Sequence, residues 1–140
     1  MDEAKEEIKK RPQNLSLNEM FLVANTYPAG SQDFIDVFET AVRMYPKDEI
    51  ANINAATAAL SRNDLVSAER YLKAAGLKKN LPEYSNAMGV LMLLKGEYEH
   101  AEKYLNDANG EGLEAAGLNL KELAVKKANA AEIEKKNRDK

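Results

Sequence analysis

The sequence predicts an all-α fold in which helix pairs stack side by side as an α-solenoid. The first observation is an internal repeat, because the stretch Ala68–Ala75 returns as Ala101–Ala108, about 33 residues later. A unit of this size cannot bury its own apolar face and needs neighbouring units, so a self-match at this spacing indicates stacked helical repeats. Apolar residues also recur at helical spacing, no segment has the pattern of a strand, and most of the proline and glycine falls between the periodic segments.

Composition excludes several classes of function. Of the 140 residues, 44% are hydrophobic and 31% are charged, which is ordinary for a globular protein. The net charge of −3, with basic residues mixed among acidic ones, argues against a nucleic-acid groove. The chain has no Cys, which excludes disulfides and thiolate metal sites. The longest apolar run, Val90–Leu94, is far shorter than the ~18 residues of a membrane-spanning helix, so we expect no direct membrane insertion.

Residues 1–14 form a charged segment that permits a helix. Glu6 and Lys10 have the favourable i, i+4 spacing, and Pro12 ends the segment because the residue before a proline avoids the helical region. The segment has no apolar core and is not a signal peptide. We interpret it as the end of a preceding module, and we expect the chain to be part of a longer protein.

The next two helices are predicted from caps and prolines. The first runs from Ser16 to about Thr26, where Ser16 and Glu19 form a capping box. The second runs from about Gln32 to Tyr45 and is ended by Pro46.

A third helix begins near Asp48, which is a good N-cap residue, and the turn Asn63–Asp64 follows it. The fourth runs from about Leu65 to Ala75, and Gly76 is predicted to follow it in the left-handed conformation.

The remaining helices are predicted in the same way. Pro82 opens the fifth helix at its first turn, and Gly96 closes it. The sixth runs from about Tyr98 to Ala108. A capping helix starts near Leu113, and residues 132–140 are predicted to be a charged tail without an apolar face.

The helix pairs align with one another at the offset of the repeat, or one position away from it. The aligned positions are Phe38, Leu72 and Leu105; Ala41, Ala75 and Ala108; and the small residues Ala56 and Gly89 midway along a first helix. This pattern resembles the tetratricopeptide repeat. The resemblance implies a right-handed solenoid over residues 15–131, with repeats at about 15–48, 49–81 and 82–114 and a capping helix at 115–131.

A narrower likeness concerns two short stretches. Residues 15–28 and Phe38–Pro46 are similar to the repeat-bearing tails of Gram-negative cell-envelope proteins that also carry an OmpA-like region. This likeness implies a periplasmic or outer-membrane setting.

The family resemblance also implies a binding surface, because the first helix of each pair lines a concave groove that holds a peptide or a partner helix. The positions that match the groove are Glu19, Val23, Ile53, Asn54, Thr57, Asn86, Val90 and Asn119. Asparagine side chains both donate and accept, so they suit a peptide backbone. The alternative interpretation is that Asn54, Asn86 and Asn119 bond neighbouring turns within the stack.

Other kinds of site find little support. Some tetratricopeptide-repeat proteins bind a C-terminal carboxylate with Lys and Arg from the first helices of successive pairs. This chain has no Lys or Arg at the matching positions. His100 is the single histidine and lies among glutamates of a solvated helix face, so we expect no metal. The chain has no Cys nucleophile, no phosphate-binding glycine loop and no Gly-x-Ser-x-Gly elbow, so we expect no catalysis. An apolar cluster is interpreted as packing between helices, with an adaptable binding surface as the alternative; its members are Met88, Leu91, Met92, Leu93 and Leu94.

These observations predict a protein–protein interaction module without enzymatic activity and without a cofactor. The expected partner is a protein or a peptide, held by a preformed surface. The alternative is a structural spacer, or assembly domain, that docks on the rest of its parent cell-envelope protein.

Overall fold

The structure, a computed structural model, describes residues 2–28, 30–76 and 81–139. In these ranges every element is a helix and no strand occurs, which confirms the predicted all-α class for the described part of the chain. The chain divides into two compact units at residues 1–78 and 79–140.

The first unit contains five α-helices and one 3₁₀ turn in its described ranges. They are α1 (Asp2–Lys10), a 3₁₀ turn (Pro12–Asn14), α2 (Leu17–Ala24), α3 (Gln32–Met44), α4 (Glu49–Ser61) and α5 (Leu65–Ala74).

Aromatic residues build the core of the first unit where α2 meets α3. The Phe38 ring lies 4.7 Å from the Phe34 ring in an edge-on contact and 5.8 Å from the Phe21 ring, measured between centroids. Ile8 of α1 is buried in the same cluster, and the Tyr45 hydroxyl donates to the Leu15 carbonyl at 3.0 Å. The charged first helix is therefore anchored on the unit by Ile8, with Ala4 packed against the same cluster.

Side-chain caps begin most helices of the first unit. The predicted capping box is confirmed: the Glu19 N–H donates to Ser16 Oγ at 3.2 Å, and the Ser16 N–H donates to Glu19 Oε1 at 3.0 Å. Asp48 caps α4 and Asp64 caps α5 by accepting from the backbone N–H three residues ahead. These caps satisfy donors that a helix start would otherwise leave unpaired.

The second unit contains α6 (Pro82–Leu94), α7 (Tyr98–Gly110) and α8 (Glu114–Arg138). Its core forms where α7 packs between the other two helices. The fully or nearly buried members of that core are Leu93, Ala101, Leu105 and Leu123. Leu105 and Ala101 have no exposed surface, which makes α7 the helix around which this unit is organised.

The turn between paired helices has the same geometry in both units. Asn63 has a φ of 60° and Gly96 a φ of 80°, and each sits at the left-handed position after a first helix. The next residue then bonds back across the turn: Asp64 N–H donates to the Ala59 carbonyl at 2.9 Å, and Glu97 N–H to the Met92 carbonyl at 2.9 Å. These are the Schellman bonds of a helix end. They recur at the offset that the sequence repeat predicts.

The small residues of the repeat are buried where helices pack closely. Ala68 of α5 and Ala101 of α7 both have no exposed surface. Gly89 of α6 lies against α7: a Cβ built on it would lie 2.5 Å from Leu105 Cγ and 3.3 Å from the Leu105 backbone nitrogen. A side chain at this position would force the two helices apart, which is why the sequence has glycine there.

Two boundaries differ from the prediction. The left-handed conformation predicted for Gly76 is wrong, because α5 ends at Ala74 and Gly76 is not among the glycines of positive φ. The last helix also extends to Arg138, so most of the expected charged tail is helical. Its Glu132–Lys136 and Glu134–Arg138 spacings favour a helix that continues without an apolar face. The predicted repeat boundary at 81/82 adjoins residues 77–80, which lie outside the described ranges.

Candidate interaction surface

The α4 helix of the first unit is buried except along one narrow stripe. Nearly every other residue of this helix is buried. The stripe, which we call the α4 stripe, follows the helical spacing i, i+4, i+7, i+11 and consists of Ile50, Asn54, Thr57 and Ser61. Apolar residues are spread almost evenly around α4, so the periodicity of the sequence alone does not reveal which face is exposed. The stripe includes two of the predicted groove residues, and Ile50 and Ser61 add an apolar and a polar end.

The α4 stripe has free hydrogen-bonding capacity. Thr57 Oγ1 donates to the Ile53 carbonyl at 3.1 Å and Ser61 Oγ donates to the Ala58 carbonyl at 2.6 Å, so both oxygens keep lone pairs for an incoming donor. The Asn54 amide forms no hydrogen bond with any described residue. It can therefore donate to and accept from a peptide group at the same time, which is the chemistry required to bind an extended backbone.

In the second unit, two predicted groove residues bond to each other. Asn119 Nδ2 of α8 donates to Asn86 Oδ1 of α6 at 2.9 Å, and both side chains are half-buried. This bond agrees with the alternative interpretation, in which these asparagines tie neighbouring helices together. It also leaves the Asn86 amide hydrogens and the Asn119 oxygen without a partner among the described residues. Val90, one turn beyond Asn86 on α6, is half-buried and leaves part of an apolar side chain exposed.

Three predicted groove residues have other structural roles. Val23 has no exposed surface and belongs to the core of the first unit, and Ile53 is 2% exposed. Neither offers surface to a ligand, so we leave both out of the candidate surface. Glu19 is exposed, but its carboxylate accepts from the Ser16 backbone N–H, and hydrogen bonding to Ser16 lowers the pKa of Glu19 below its ordinary value. It acts as a helix cap.

The first turn of α6 carries a further neutral polar group, the Tyr84 hydroxyl. Burial raises the pKa of Tyr84 above its ordinary value, and Tyr104 raises it further. The Tyr84 hydroxyl therefore stays protonated at neutral pH and can serve as a donor or an acceptor.

The described residues contain neither a group of metal ligands nor a membrane-spanning helix. No group of three or more His, Asp or Glu side chains converges there to hold a metal ion. His100 Nδ1 lies 3.9 Å from Glu97 Oε2, and the His100 side chain is largely exposed, as the sequence indicates for a solvated face. No helix of the described chain is long and apolar enough to cross a membrane.

Comparison with known protein families, with curated proteins and with solved structures finds no match for this chain.

Proposed function

We propose that this chain is a non-catalytic protein–protein interaction module of tetratricopeptide type. In this proposal, helix pairs and a capping helix stack as a right-handed solenoid, and the first helices line a concave groove. The groove binds an extended peptide or a partner helix. The sequence repeat and the matching turn geometry at Asn63 and Gly96 support the architecture.

The α4 stripe is the observation that carries the functional part of the proposal. A helix that is buried except along one stripe presents the side chains of that stripe rigidly, because its neighbours fix its position. Asn54 and Thr57 lie one turn apart on that stripe, with unused donors and acceptors. Backbone groups of an extended peptide are the natural complement, since they also alternate donors and acceptors along the chain.

Within the second unit, the proposed mechanism needs no large rearrangement. The Asn86–Asn119 pair is already oriented by its mutual bond, so a peptide meets amides that lose little freedom on binding. Binding would then depend on a few well-placed amides and hydroxyls, and Val90 and Ile50 would add apolar contact. We expect recognition of mixed polar and apolar peptides.

The test is a selection of short random peptides displayed on phage against the intact chain, followed by affinity measurements with the enriched peptides. We expect the combined variant Asn54→Ala, Thr57→Ala and Asn86→Ala to bind them about tenfold or more weakly, because it removes several hydrogen bonds of ~1 kcal/mol each. The affinity would be measured by fluorescence polarisation, and circular dichroism would verify that the variant stays helical.

A matched control removes the same side-chain types elsewhere. Asn106 and Asn109 lie exposed on α7 and Thr26 lies exposed after α2, so their joint replacement by Ala should leave peptide affinity unchanged. The proposal would be overturned if no peptide is enriched, or if the two triple variants bind equally well.

The alternative function, a structural spacer, is favoured by one specific observation. Every residue from Ala128 to Asp139 is exposed, although α8 continues as a helix to Arg138. A helix end without packing is suited to connect a domain to another part of a longer protein. A selection that yields no binding peptide would support this alternative against the interaction module.

A further inference from the structure

A second surface lies on the first unit, on the opposite side of α4 from the α4 stripe. Asn52 precedes Asn54 by two residues, which is about 200° around a helix. At Asn52 a cavity of about 390 Å³ opens between α3, α4 and α5, within the size range of ligand pockets. Its lining includes Arg43, Arg70 and Tyr71, so positive charge is concentrated there in a chain whose net charge is −3.

The acidic residue in the cavity lining does not form an ion pair with either of the two arginines there. Glu39 also lines it, but Glu39 Oε1 is held by Arg62 Nη1 at 2.6 Å. Arg43 forms no ion pair within the described residues. Because a guanidinium presents a planar fork of donors, an unpaired arginine at a cavity is suited to bind a carboxylate through two parallel hydrogen bonds.

The second arginine lies beside an aromatic ring. The Arg70 guanidinium carbon lies 5.1 Å from the centroid of the Tyr71 ring. A cation–π contact at this distance restrains the guanidinium and does not use its N–H donors, which can still bind an acceptor. The two arginines lie on different helices, α3 and α5, so an anion between them would bridge two elements that both pack against α4.

The floor of the cavity supplies a hydrogen-bond acceptor and apolar surface. Asn52 is 2% exposed, and its Nδ2 donates to the Pro46 carbonyl at 3.0 Å and to the Asp48 carbonyl at 2.8 Å. Both amide hydrogens are thus used, and Oδ1 is the atom left to accept from a ligand. Val42 and Ala74 provide apolar lining beside it.

We propose that this cavity binds a peptide segment in which an acidic side chain adjoins an apolar one. Arg43 and Arg70 hold the carboxylate, Asn52 Oδ1 accepts a peptide N–H, and the apolar side chain lies against Val42 and Ala74. This site uses α3, α5 and the inner side of α4, so it is independent of the surface assigned to the proposed function. The chain would therefore have two separate surfaces for proteins.

The test uses a blocked peptide with two Asp–Leu steps, and the same peptide with Asn in place of Asp. Both are titrated into the isotope-labelled full chain while backbone amide signals are followed by NMR. We expect the acidic peptide to shift signals around residues 42–46 and 70–74. We expect the Asn peptide to bind about tenfold more weakly, because it loses the charge-assisted bonds. The affinity for the acidic peptide should also fall as salt is raised.

Two variants and a control localise the effect. Arg43→Gln and Arg70→Gln should each weaken binding of the acidic peptide by about tenfold. Arg138→Gln removes the same charge from an exposed position outside the cavity and should leave the affinity unchanged. If all three variants weaken binding equally, the loss of one positive charge anywhere in the chain explains the effect, and the proposal is overturned. It would also be overturned if the Asn peptide binds equally well, or if inorganic phosphate alone shifts the same signals at the same concentration.

Discussion

Replacement of Gly89 by Ala is expected to destabilise the second unit, although alanine is the better helix former. In an unconstrained helix this substitution would add about 1 kcal/mol to the free energy of unfolding. Here the new methyl group would lie 2.5 Å from Leu105 Cγ and Cδ2. Leu105 has no exposed surface and cannot turn aside without displacing the core. We expect a net loss of about 1–3 kcal/mol, the usual range for an overpacked core.

The measurement is chemical denaturation, with Gly110→Ala as the matched control. Gly110 is helical, lies in the same unit and has no atom within 4 Å of a built Cβ, so its replacement should leave stability unchanged or raise it. In a Leu105→Ala background, which makes room for the methyl group, the cost of Gly89→Ala should largely disappear. A stabilising Gly89→Ala in the natural background would show that α6 and α7 do not approach as closely as described.

Replacement of Asn52 by Asp is expected to cause the largest loss of stability in the first unit. A carboxylate has no hydrogen to donate, so the Pro46 carbonyl would lose its donor and the Asp48 carbonyl would keep only the backbone N–H of residue 52. Both carbonyls would also face a negative charge at a site that is 2% exposed. An unsatisfied buried group costs about 1–3 kcal/mol, and a buried charge costs more. We expect the free energy of unfolding to fall by about 3–5 kcal/mol at neutral pH.

The pH dependence of this variant has a defined sign. Burial and the two carbonyls would raise the pKa of the introduced carboxyl in the folded state. Arg43 and Arg70 line the same cavity and oppose this rise, but both are exposed, so solvent screens their attraction. The loss should therefore be greatest at neutral pH and shrink as acid protonates the group. Asn54→Asp, two residues away on the α4 stripe, is the control and should change stability by less than about 0.5 kcal/mol. Equal losses for the two variants would contradict the buried role of Asn52.

Much of the fold follows from local signals in the sequence. The capping box of Ser16 and Glu19, the Asp48 cap and the turn at Asn63 were all predictable, because each depends on side chains within a few residues of the backbone group they satisfy. The pairing of the helices was predictable because the same turn and the same small residues recur in both units at the repeat offset. The caps and the turns depend only on residues within one pair of helices.

Features that depend on tertiary packing were harder to predict from the sequence. Val23 and Ile53 fall at positions that line a groove in the resembled family, yet both are buried here, and helical spacing alone cannot tell a groove from a core. Asn52 and Asn54 are both asparagines in an apolar helix, so the sequence alone does not show that one is buried and the other partly exposed. The position of Asn52 four residues after Asp48 and six after Pro46 could have suggested a side chain that satisfies the start of α4. The cavity near Arg43 and Arg70 requires helices that only the fold brings together.

Photo-crosslinking from the α4 stripe tests the proposed interaction module most directly. Benzoylphenylalanine would replace Thr57 in one sample and Val66, an α5 residue that is 80% exposed, in a control. Each would be irradiated with a peptide enriched against the natural chain, and the adducts would be identified by mass spectrometry. The account predicts strong crosslinking from position 57 and little from position 66. Crosslinking from position 66 alone, or equally from both, would contradict it.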